Sequence, residues 1–250
     1  MSEKQNVIGV IPARYGSSRF PGKVLANLAG KPMIQWVYEQ ASKSELLNQL
    51  FVAVDDERVK KVVEGFGGKA VMTRKEHQSG TDRIAEAVKN IETNIVVNIQ
   101  GDQPLLDARM IDEAVQPFFD DPSIKMSTIK TKVGEEEYHD HAVVKVVVDE
   151  NDFALYFSRS LIPFPREGKP INVYEHVGLY VYKKDFLLEI SKLPQSFLEQ
   201  IEMLEQLRIL EKGYKIKVVE TKSEHAAGVS VDTPEDLAKV EKMIQEMNLD

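Results

Sequence analysis

The sequence predicts an α/β protein in which a mostly parallel sheet is flanked by helices and carries a β-rich insertion. Short apolar runs alternate with helical patterns through residues 7–100, as expected for parallel strands joined by crossover helices. Residues 125–182 then contain three strand-like runs without a long helix between them, which indicates antiparallel pairing. The chain has 250 residues and 42% of them are apolar, so it can bury a sizeable core as one domain.

The first half supplies the alternating elements of this fold. The predicted strands are residues 7–11, 50–54, 69–72 and 95–100, and the predicted helices are residues 33–41, 59–66 and 79–91. Gly67 and Gly68 end the second helix, and Ser79 or Thr81 caps the third.

The second half supplies the insertion and the last elements. The predicted strands are residues 125–131, 143–148, 173–182 and 215–220. Residues 197–211 have the pattern of one amphipathic helix, whose core stripe is Leu198, Ile201, Leu204 and Leu207. A final helix is expected after Asp232-Thr-Pro-Glu, because this is a good helix start.

Composition excludes several classes of function. A net charge of −8, from 40 acidic and 32 basic residues, argues against a nucleic-acid-binding protein. The absence of cysteine excludes disulfides, thiolate catalysis and cysteine-ligated zinc. The apolar run before Pro12 is too short for a signal peptide or a membrane span. We therefore expect a cytoplasmic protein with neither nucleic-acid nor membrane partners.

A basic, glycine-bearing loop follows the first strand in the segment IPARYGSSRFPGK, residues 11–23. In an open α/β sheet, ligands bind beyond the carboxyl ends of the strands, where this loop lies. Glycines let backbone N–H groups approach a polyphosphate, and Arg14, Arg19 and Lys23 would neutralise its charge. The spacing matches neither GxGxxG nor GxxxxGK[ST], which disfavours a dinucleotide-dependent oxidoreductase, and a solvated basic loop is the alternative.

Two aspartates are candidate metal ligands. Asp102 follows the strand IVVNI in the segment QGDQP, and Asp232 lies in GVSVDTPEDL before the last helix. Mg²⁺ prefers one or two carboxylates together with waters and phosphate oxygens, so two aspartates near the basic loop would suit it. The alternatives are that Asp102 is a turn residue and that Asp232 caps the last helix.

Six fragments carry a resemblance to a known family. IPARYGSSRFPGK, MTRKEHQSGTDR, NIQGDQP, ALYFSR, LEQIEMLEQLR and VDTPEDL occur in this order along almost the whole chain. Together they resemble the 3-deoxy-D-manno-octulosonate (Kdo) cytidylyltransferases, or CMP-Kdo synthetases. The resemblance implies a Rossmann-like nucleotide-diphospho-sugar transferase fold and a homodimer. It also implies that CTP and Kdo give CMP-Kdo and pyrophosphate, with Mg²⁺ as cofactor, for lipopolysaccharide synthesis.

The resemblance also divides the single domain 1–250 and assigns residues. Residues 1–120 and 195–250 would form the nucleotide-binding core, and residues 121–194 the part that binds the sugar and dimerises. The implied nucleotide-binding residues are Pro12, Ala13, Arg14, Gly16, Ser17, Lys23, Arg74, Ser79 and Gln100. The implied sugar-binding residues are Gln100, Arg159, His176, Tyr180, Glu205 and Gln206, and the metal ligands are Asp102 and Asp232. Arg14, Lys23 and Asp102 would act in catalysis.

The residues themselves leave alternatives open for the sugar site. Arg159 could pair with the C1 carboxylate of an ulosonic acid or form a structural ion pair. His176, Gly178, Tyr180 and Tyr182 share one face of a strand that could instead pack in a dimer interface. Glu205 and Gln206 have the spacing of a solvated helix face. His77 and His225 have no partner at metal-ligand spacing.

One departure from the family pattern leaves the substrate open at C8. His141 and Ala142 stand before Val143-Val144-Lys145, where the family commonly has a Pro-Asn pair. Relatives that activate the 8-amino form of the sugar also show altered residues here. The rival functions are therefore the same reaction on the 8-amino sugar or another ulosonate, and an inactive nucleotide-binding regulatory protein.

Overall fold

The computed structural model describes residues 5–16, 20–77, 79–168, 171–223 and 230–247. Its strands are, in chain order, β1 Val7–Ala13, β2 Asn27–Leu28, β3 Lys31–Pro32, β4 Gln49–Val54, β5 Ala70–Met72, β6 Ile95–Asn98, β7 Met126–Lys132, β8 Lys145–Val148, β9 Ala154–Ser158, β10 Tyr174–Lys183 and β11 Lys217–Glu220. Nine of the strands in these ranges form one sheet in the order β11-β7-β10-β6-β1-β4-β5, with β8 beside β10 and β9 beside β8. β2 and β3 form a separate small hairpin.

The helices confirm most of the predicted pattern in the first half. They are α1 Met33–Ala41, α2 Glu57–Gly65, α3 Gly80–Val88, α4 Ala108–Val115, α5 Pro117–Asp120, α6 Lys184–Ile190, α7 Phe197–Glu202, α8 Gln206–Glu211 and α9 Pro234–Glu246. Ser79 is the cap of α3, since its hydroxyl accepts the Asp82 N–H at 3.1 Å. The helices α4, α5 and α6 were not predicted.

The sheet separates two cores, one on each face. In β1, Val7 and Ile11 pack into the core that contains Trp36 and Phe118, whereas Ile8 belongs to the core on the opposite face. Successive side chains of a strand point to opposite faces, and a parallel strand covered on both sides is apolar throughout. This is why the first strand reads as a continuous apolar run.

The β-rich part extends the main sheet. β10 lies between β6 and β7 and is antiparallel to both, while β1, β4, β5 and β6 pair in parallel. β8 and β9 then continue from β10 as an antiparallel addition. The predicted antiparallel pairing in this part of the chain is therefore confirmed. The carboxyl end of β6 and the residues of β10 thereby meet at one place.

The prediction of one helix over residues 197–211 is wrong. α7 ends at Glu202, the next residue, Met203, has a left-handed backbone with φ 55°, and α8 starts at Gln206. A buried ion pair stabilises this break, because the Arg208 guanidinium donates to both carboxylate oxygens of Glu199 at 2.8 and 2.5 Å. Ile201, expected in the core, is 67% exposed instead.

One half-buried carboxyl makes stability depend on pH. Glu175 of β10 lies opposite the fully buried Lys145 of β8. Burial, with the charges of Glu137 and Asp140 added, raises the pKa of Glu175 from 4.5 to about 7, although Lys145 opposes the shift. Between these pH values the folded state holds a proton that the unfolded chain has lost. The contribution of Glu175 to stability therefore falls as pH rises from about 4.5 to 7.

Glu175→Gln is therefore expected to raise Tm on the order of 5 °C at pH 8 and to leave it nearly unchanged at pH 5. Glutamine keeps the shape and has no charge to bury. Thermal unfolding of both proteins at the two pH values measures this difference. Glu246→Gln, in an exposed pair with Lys242, is the control and should change Tm at neither pH. An equal rise at both pH values would contradict the assigned pKa.

Candidate active site

A lysine and two aspartates meet beyond the carboxyl ends of the parallel strands. The Lys23 ammonium donates to Asp102 Oδ2 at 2.9 Å and to Asp232 Oδ1 at 3.0 Å. It also donates to the carbonyl oxygen of Val231 at 3.0 Å. The two carboxylates, 130 positions apart by their residue numbers, are thus close enough to share one cation. All three side chains keep partial exposure, so a ligand can reach them.

Glycines allow this close approach. A Cβ on Gly101 would lie 2.7 Å from the carbonyl oxygen of Pro12, so only glycine lets the Asp102 turn pack against the end of β1. Gly22 has φ 71°, and its N–H closes the basic loop by donating to Tyr15 O at 3.0 Å. The next residue, Lys23, begins a short 3₁₀ helix. The loop therefore places Lys23, its last basic residue, at the point where β1 and β6 end.

The alternative role for Asp232 is wrong. The cap of α9 is Thr233, whose hydroxyl accepts the Asp236 N–H, with Asp236 completing a capping box. The Asp232 carboxylate contacts Lys23 instead. A backbone hydrogen bond also holds this segment, since the Val231 N–H donates to the carbonyl oxygen of Asp102 at 2.9 Å. Asp232 therefore lies beside Asp102 for a reason other than helix capping.

The donor set fits a hard divalent cation. Two carboxylates that already share the Lys23 ammonium form a place of negative potential that attracts cations. Within the described ranges, no cluster of three or more His, Cys, Asp or Glu side chains could enclose a metal. A cation between Asp102 and Asp232 would therefore complete its coordination with waters and ligand oxygens, as Mg²⁺ commonly does.

Four other predicted nucleotide residues lie at the end of β1 or just after it. Pro12 and Ala13 end β1, and Arg14 and Gly16 follow it on the exposed side of the sheet edge. Ser17 lies outside the described residues, as do Arg19 and His225. Their roles toward a nucleotide stay predictions.

Arg74 and Ser79 follow the carboxyl end of β5, which lies two strands from β1 in the sheet. The Arg74 guanidinium is 72% exposed and donates to Glu86 Oε2 at 3.4 Å, and its backbone N–H donates to the same oxygen. Burial acts to raise the pKa of Glu86, but the hydrogen bonds from His77 and Arg74 outweigh it and hold that pKa below its usual value. Glu86 therefore stays ionised and positions Arg74, with His77 as its partner rather than a metal ligand.

A cavity of about 350 Å³ lies beside β6 and β10, with Asn98, Gln100 and Tyr180 in its lining. Five of the six predicted sugar-binding residues line it, namely Gln100, His176, Tyr180, Glu205 and Gln206. Gln100 is two residues before Asp102, and its amide donates to Gly178 O at 2.9 Å. The cavity and the Lys23 cluster are therefore connected through the turn after β6.

A directed chain of hydrogen bonds orders the cavity floor. The Thr128 hydroxyl donates to Leu179 O at 2.7 Å and so accepts from His176 Nε2 at 3.0 Å. His176 Nδ1 is then the acceptor for the Gln206 amide at 3.4 Å, and Gln206 Oε1 accepts the Tyr180 hydroxyl at 3.2 Å. Burial lowers the pKa of His176 to about 3, which keeps the ring neutral. The floor therefore presents neutral polar groups of fixed direction.

Glu205 places an ionisable carboxyl group in the lining of the cavity. Burial raises its pKa, while the Thr81 hydroxyl and the Arg208 charge oppose the shift. Burial and the nearby Glu205 also raise the pKa of Tyr180, so this phenol stays protonated. Glu205 and Tyr180 can therefore hydrogen-bond to hydroxyl groups of a bound ligand. The break between α7 and α8 is what directs Glu205 and Gln206 inward.

Arg159 lies beside the cavity without lining it in the described structure. Its guanidinium donates to Glu202 O at 2.9 Å and to His141 O at 2.8 Å, and its backbone N–H donates to the Glu202 carboxylate. It therefore joins the segment that departs from the family pattern to the end of α7. Contact between Arg159 and a sugar carboxylate stays a prediction.

Sequence reasoning missed several residues of this site. Thr81, Asn98, Met203 and Arg208 line the cavity, and Thr128 lies beneath it. Thr81 had been considered only as a helix cap. A polar residue in a buried strand, such as Asn98 or Thr128, was the available signal, because such residues need partners. Met203 gave no signal, since its place depends on the helix break.

Comparisons with known proteins agree on one family. A profile described as cytidylyltransferase matches residues 8–223. The 3-deoxy-manno-octulosonate cytidylyltransferase of Syntrophotalea carbinolica is 52% identical over 94% of this chain and 97% of its own length. The enzyme of the same description from Fusobacterium nucleatum is 48% identical over 97% of this chain and 98% of its own length.

Solved structures agree with the predicted fold. A CMP:2-keto-3-deoxy-manno-octonic acid synthetase complexed with CTP has a TM-score of 0.92 and 44% identity, covering 97% of this chain and 99% of that one. This match confirms the Rossmann-like fold. A 4-diphosphocytidyl-2C-methyl-D-erythritol synthase from Anaerococcus prevotii shares only the fold, with a TM-score of 0.65, 13% identity and coverage of 97% and 100%.

Proposed function

The chain belongs to the cytidylyltransferase family, and we propose that it transfers CMP from CTP to the anomeric hydroxyl of Kdo. The products are CMP-Kdo and pyrophosphate, and the activated sugar serves lipopolysaccharide synthesis. The observation that carries the proposal is the meeting of Lys23, Asp102 and Asp232 beside a cavity with a polar, neutral floor. The relatives named for this reaction match almost the whole chain.

The reaction is a direct displacement. The C2 hydroxyl oxygen of the sugar forms a bond to the α-phosphorus of CTP, the bond from that phosphorus to the β-phosphate oxygen breaks, and pyrophosphate leaves. The hydroxyl proton passes to solvent water, so one proton is released with the two products. Arg14 and Lys23 stabilise the phosphate charge, and placement of the two substrates in line supplies the rest.

Asp102 and Asp232 hold Mg²⁺ in this proposal. When bound, Mg²⁺ neutralises phosphate charge and lowers the pKa of an oxygen that it contacts. Support comes from the two carboxylates that already share one ammonium and from the open donor set, which leaves room for substrate oxygens. Lys23 is released from the aspartates toward the phosphates in the bound state.

The cavity recognises the sugar. The amides of Gln100 and Gln206 and the imidazole of His176 face the sugar, and their neighbours fix which atoms donate and which accept. Tyr180 and Glu205 add a phenol and a carboxyl group that can hydrogen-bond to sugar hydroxyls. Arg159 contributes by holding the 141–142 segment and α7, and through its charge favours an acidic sugar. The nucleotide is bound by the remaining predicted residues, namely Pro12, Ala13, Gly16, Ser17, Arg74, Ser79 and Gln100.

A pyrophosphate-release assay tests the function. CTP is supplied with Kdo or with its 8-amino analogue, each with Mg²⁺ and with EDTA. We expect release with Kdo and Mg²⁺ and loss of release with EDTA. Preference for the 8-amino sugar would reassign the substrate, and CTP binding without turnover on either sugar would mark an inactive regulatory protein.

The cellular location and the partners of the enzyme follow from the same proposal. Among the described residues, the structure contains no helix with the length and apolar content of a bilayer span. We place the reaction in the cytoplasm because CTP is a cytoplasmic nucleotide, without nucleic-acid or membrane partners.

A homodimer is also part of the proposal. Leu155 and Phe164 of the β-rich part and Phe197 and Ile201 of α7 are large apolar side chains between 61% and 79% exposed. Such residues mark protein–protein interfaces when they cluster. Light scattering is expected to give twice the 28.3 kDa chain mass. Ile201→Glu should shift the protein toward the monomer, and a monomeric wild type would contradict the proposal.

A further inference from the structure

A buried ion pair lies beneath the nucleotide site and belongs to none of the residues predicted to bind ligand. Asp55 follows β4, and Arg83 lies in α3. Asp55 Oδ2 accepts from Arg83 Nη2 at 3.0 Å, and the two side chains are 10% and 4% exposed. Both charges are satisfied within the protein, so the pair has a structural task that its contacts define.

Asp55 holds the basic loop. Its second oxygen, Oδ1, accepts the backbone N–H of Tyr15 at 2.9 Å. Tyr15 stands between Arg14 and Gly16, and its own carbonyl oxygen accepts the Gly22 N–H that closes the loop. The carboxylate of Asp55 therefore fixes the point from which the phosphate-facing residues leave β1.

Arg83 holds the opposite side of the site. Its Nη1 donates to Thr73 Oγ1 at 2.6 Å and to the carbonyl oxygen of Arg74 at 3.3 Å. Thr73 is itself held to the end of β4, since its hydroxyl and its N–H both donate to Val54 O. The guanidinium therefore fixes the backbone from which Arg74 projects.

We propose that Asp55 and Arg83 are positioning residues that set the separation between the phosphate side and the base side of the nucleotide site. One carboxylate and one guanidinium join Tyr15, Thr73 and Arg74, which come from two different loops. A guanidinium suits this task because its fork donates in several fixed directions at once. The inference rests on the proposed function, since it assumes that CTP spans these two loops.

The consequence is a selective effect on CTP. Neither Asp55 nor Arg83 lines the sugar cavity in the described structure. Weakening the pair should therefore raise KM for CTP and leave KM for the sugar nearly unchanged. A merely structural pair would reduce the amount of folded enzyme, which lowers the apparent kcat without changing either KM.

The test uses three variants of the full chain. Asp55→Asn keeps the shape but places an amide donor against Arg83, and Arg83→Lys keeps the charge but cannot reach all three partners. Thr73→Val is the mild variant, because it removes one hydroxyl from the same network. We expect KM for CTP to rise about tenfold in the first two and about threefold in the third, with KM for Kdo changed less than twofold.

Glu199→Gln is the matched control. It weakens another buried Arg–carboxylate pair, that of Glu199 with Arg208, whose other side-chain hydrogen bonds go to Ser196 and Leu193. Because Arg208 lines the sugar cavity, this variant is compared with the others by its KM for CTP alone. It should lower Tm by a similar amount without raising KM for CTP. Titration calorimetry with CTP alone supplies a second readout, in which Kd should follow the KM values. Because Thr73→Val is nearly isosteric, it decides the question even if the charged-pair variants do not fold.

The outcomes separate the two proposals. A wild type that does not bind CTP overturns the proposed function. A wild type that binds CTP, together with variants whose KM and Kd for CTP stay within twofold of it, overturns this inference alone. The same holds if Glu199→Gln raises KM for CTP as much as Asp55→Asn does.

Discussion

Asp102→Asn is expected to lower kcat about a thousandfold. Asp102 supplies one of the two carboxylates that share the Lys23 ammonium, and in the proposed reaction it supplies half of the protein charge around Mg²⁺. Asparagine keeps the shape and one oxygen but loses the charge. The fold should survive, because Asp102 is partly exposed and such an ion pair contributes at most about 1 kcal/mol.

Steady-state kinetics with CTP and Kdo measure the loss, and thermal unfolding checks that the fold is intact. Asp107→Asn is the control. Asp107 lies past the same strand and caps α4, a role that asparagine fills equally well. Its kcat should match the wild type. An Asp102→Asn enzyme with near-normal turnover would remove Asp102 from the metal site.

Lys23→Met is expected to lower kcat/KM for CTP about a hundredfold, which corresponds to roughly 2.7 kcal/mol. Methionine keeps much of the apolar stem and removes the only ammonium seen to touch both Asp102 and Asp232 among the described residues. In the proposed reaction the same ammonium neutralises the phosphates of CTP. KM for Kdo should change little, because Lys23 does not line the sugar cavity.

The resting structure adds a second expectation for this variant. With Lys23 gone, the two carboxylates lose the ammonium that they share, so the free protein should bind a divalent cation more tightly. Titration of the protein with Mn²⁺ in the absence of CTP measures this directly. Lys60→Met, in an exposed pair with Glu57, is the control and should change neither value. Unchanged Mn²⁺ affinity together with unchanged use of CTP would contradict the role of Lys23.

Much of the fold could be predicted from neighbouring residues. The continuous apolar run of β1, the helix Met33–Ala41 and the Ser79 cap of α3 all depend on contacts within a few positions. The prediction of one helix over residues 197–211 is wrong because this segment does not follow its local pattern alone. Its apolar spacing fits one helix, but the Glu199–Arg208 ion pair and the left-handed Met203 break that helix and leave Ile201 exposed.

The candidate site could be predicted only in part. The resemblance named Lys23, Asp102 and Asp232, and the rule that ligands bind at the carboxyl ends of strands placed the first two near each other. Neither the resemblance nor this rule showed that Lys23 lies between the two carboxylates, or that Thr233 rather than Asp232 caps α9. Arg159, named as a sugar ligand, holds two backbone carbonyls beside the cavity.

The sequence alone determined the order of the elements, the two faces of each buried strand and the motifs of the family. Tertiary structure alone decided that β10 runs between β6 and β7 and that Gln100, two residues before Asp102, lines the cavity. It also decided that Asp55 and Arg83 join the two loops of the nucleotide site. The physical reason is distance along the chain. Periodicity and capping act between residues a few positions apart, whereas these contacts join residues that only the strand order of the sheet brings together.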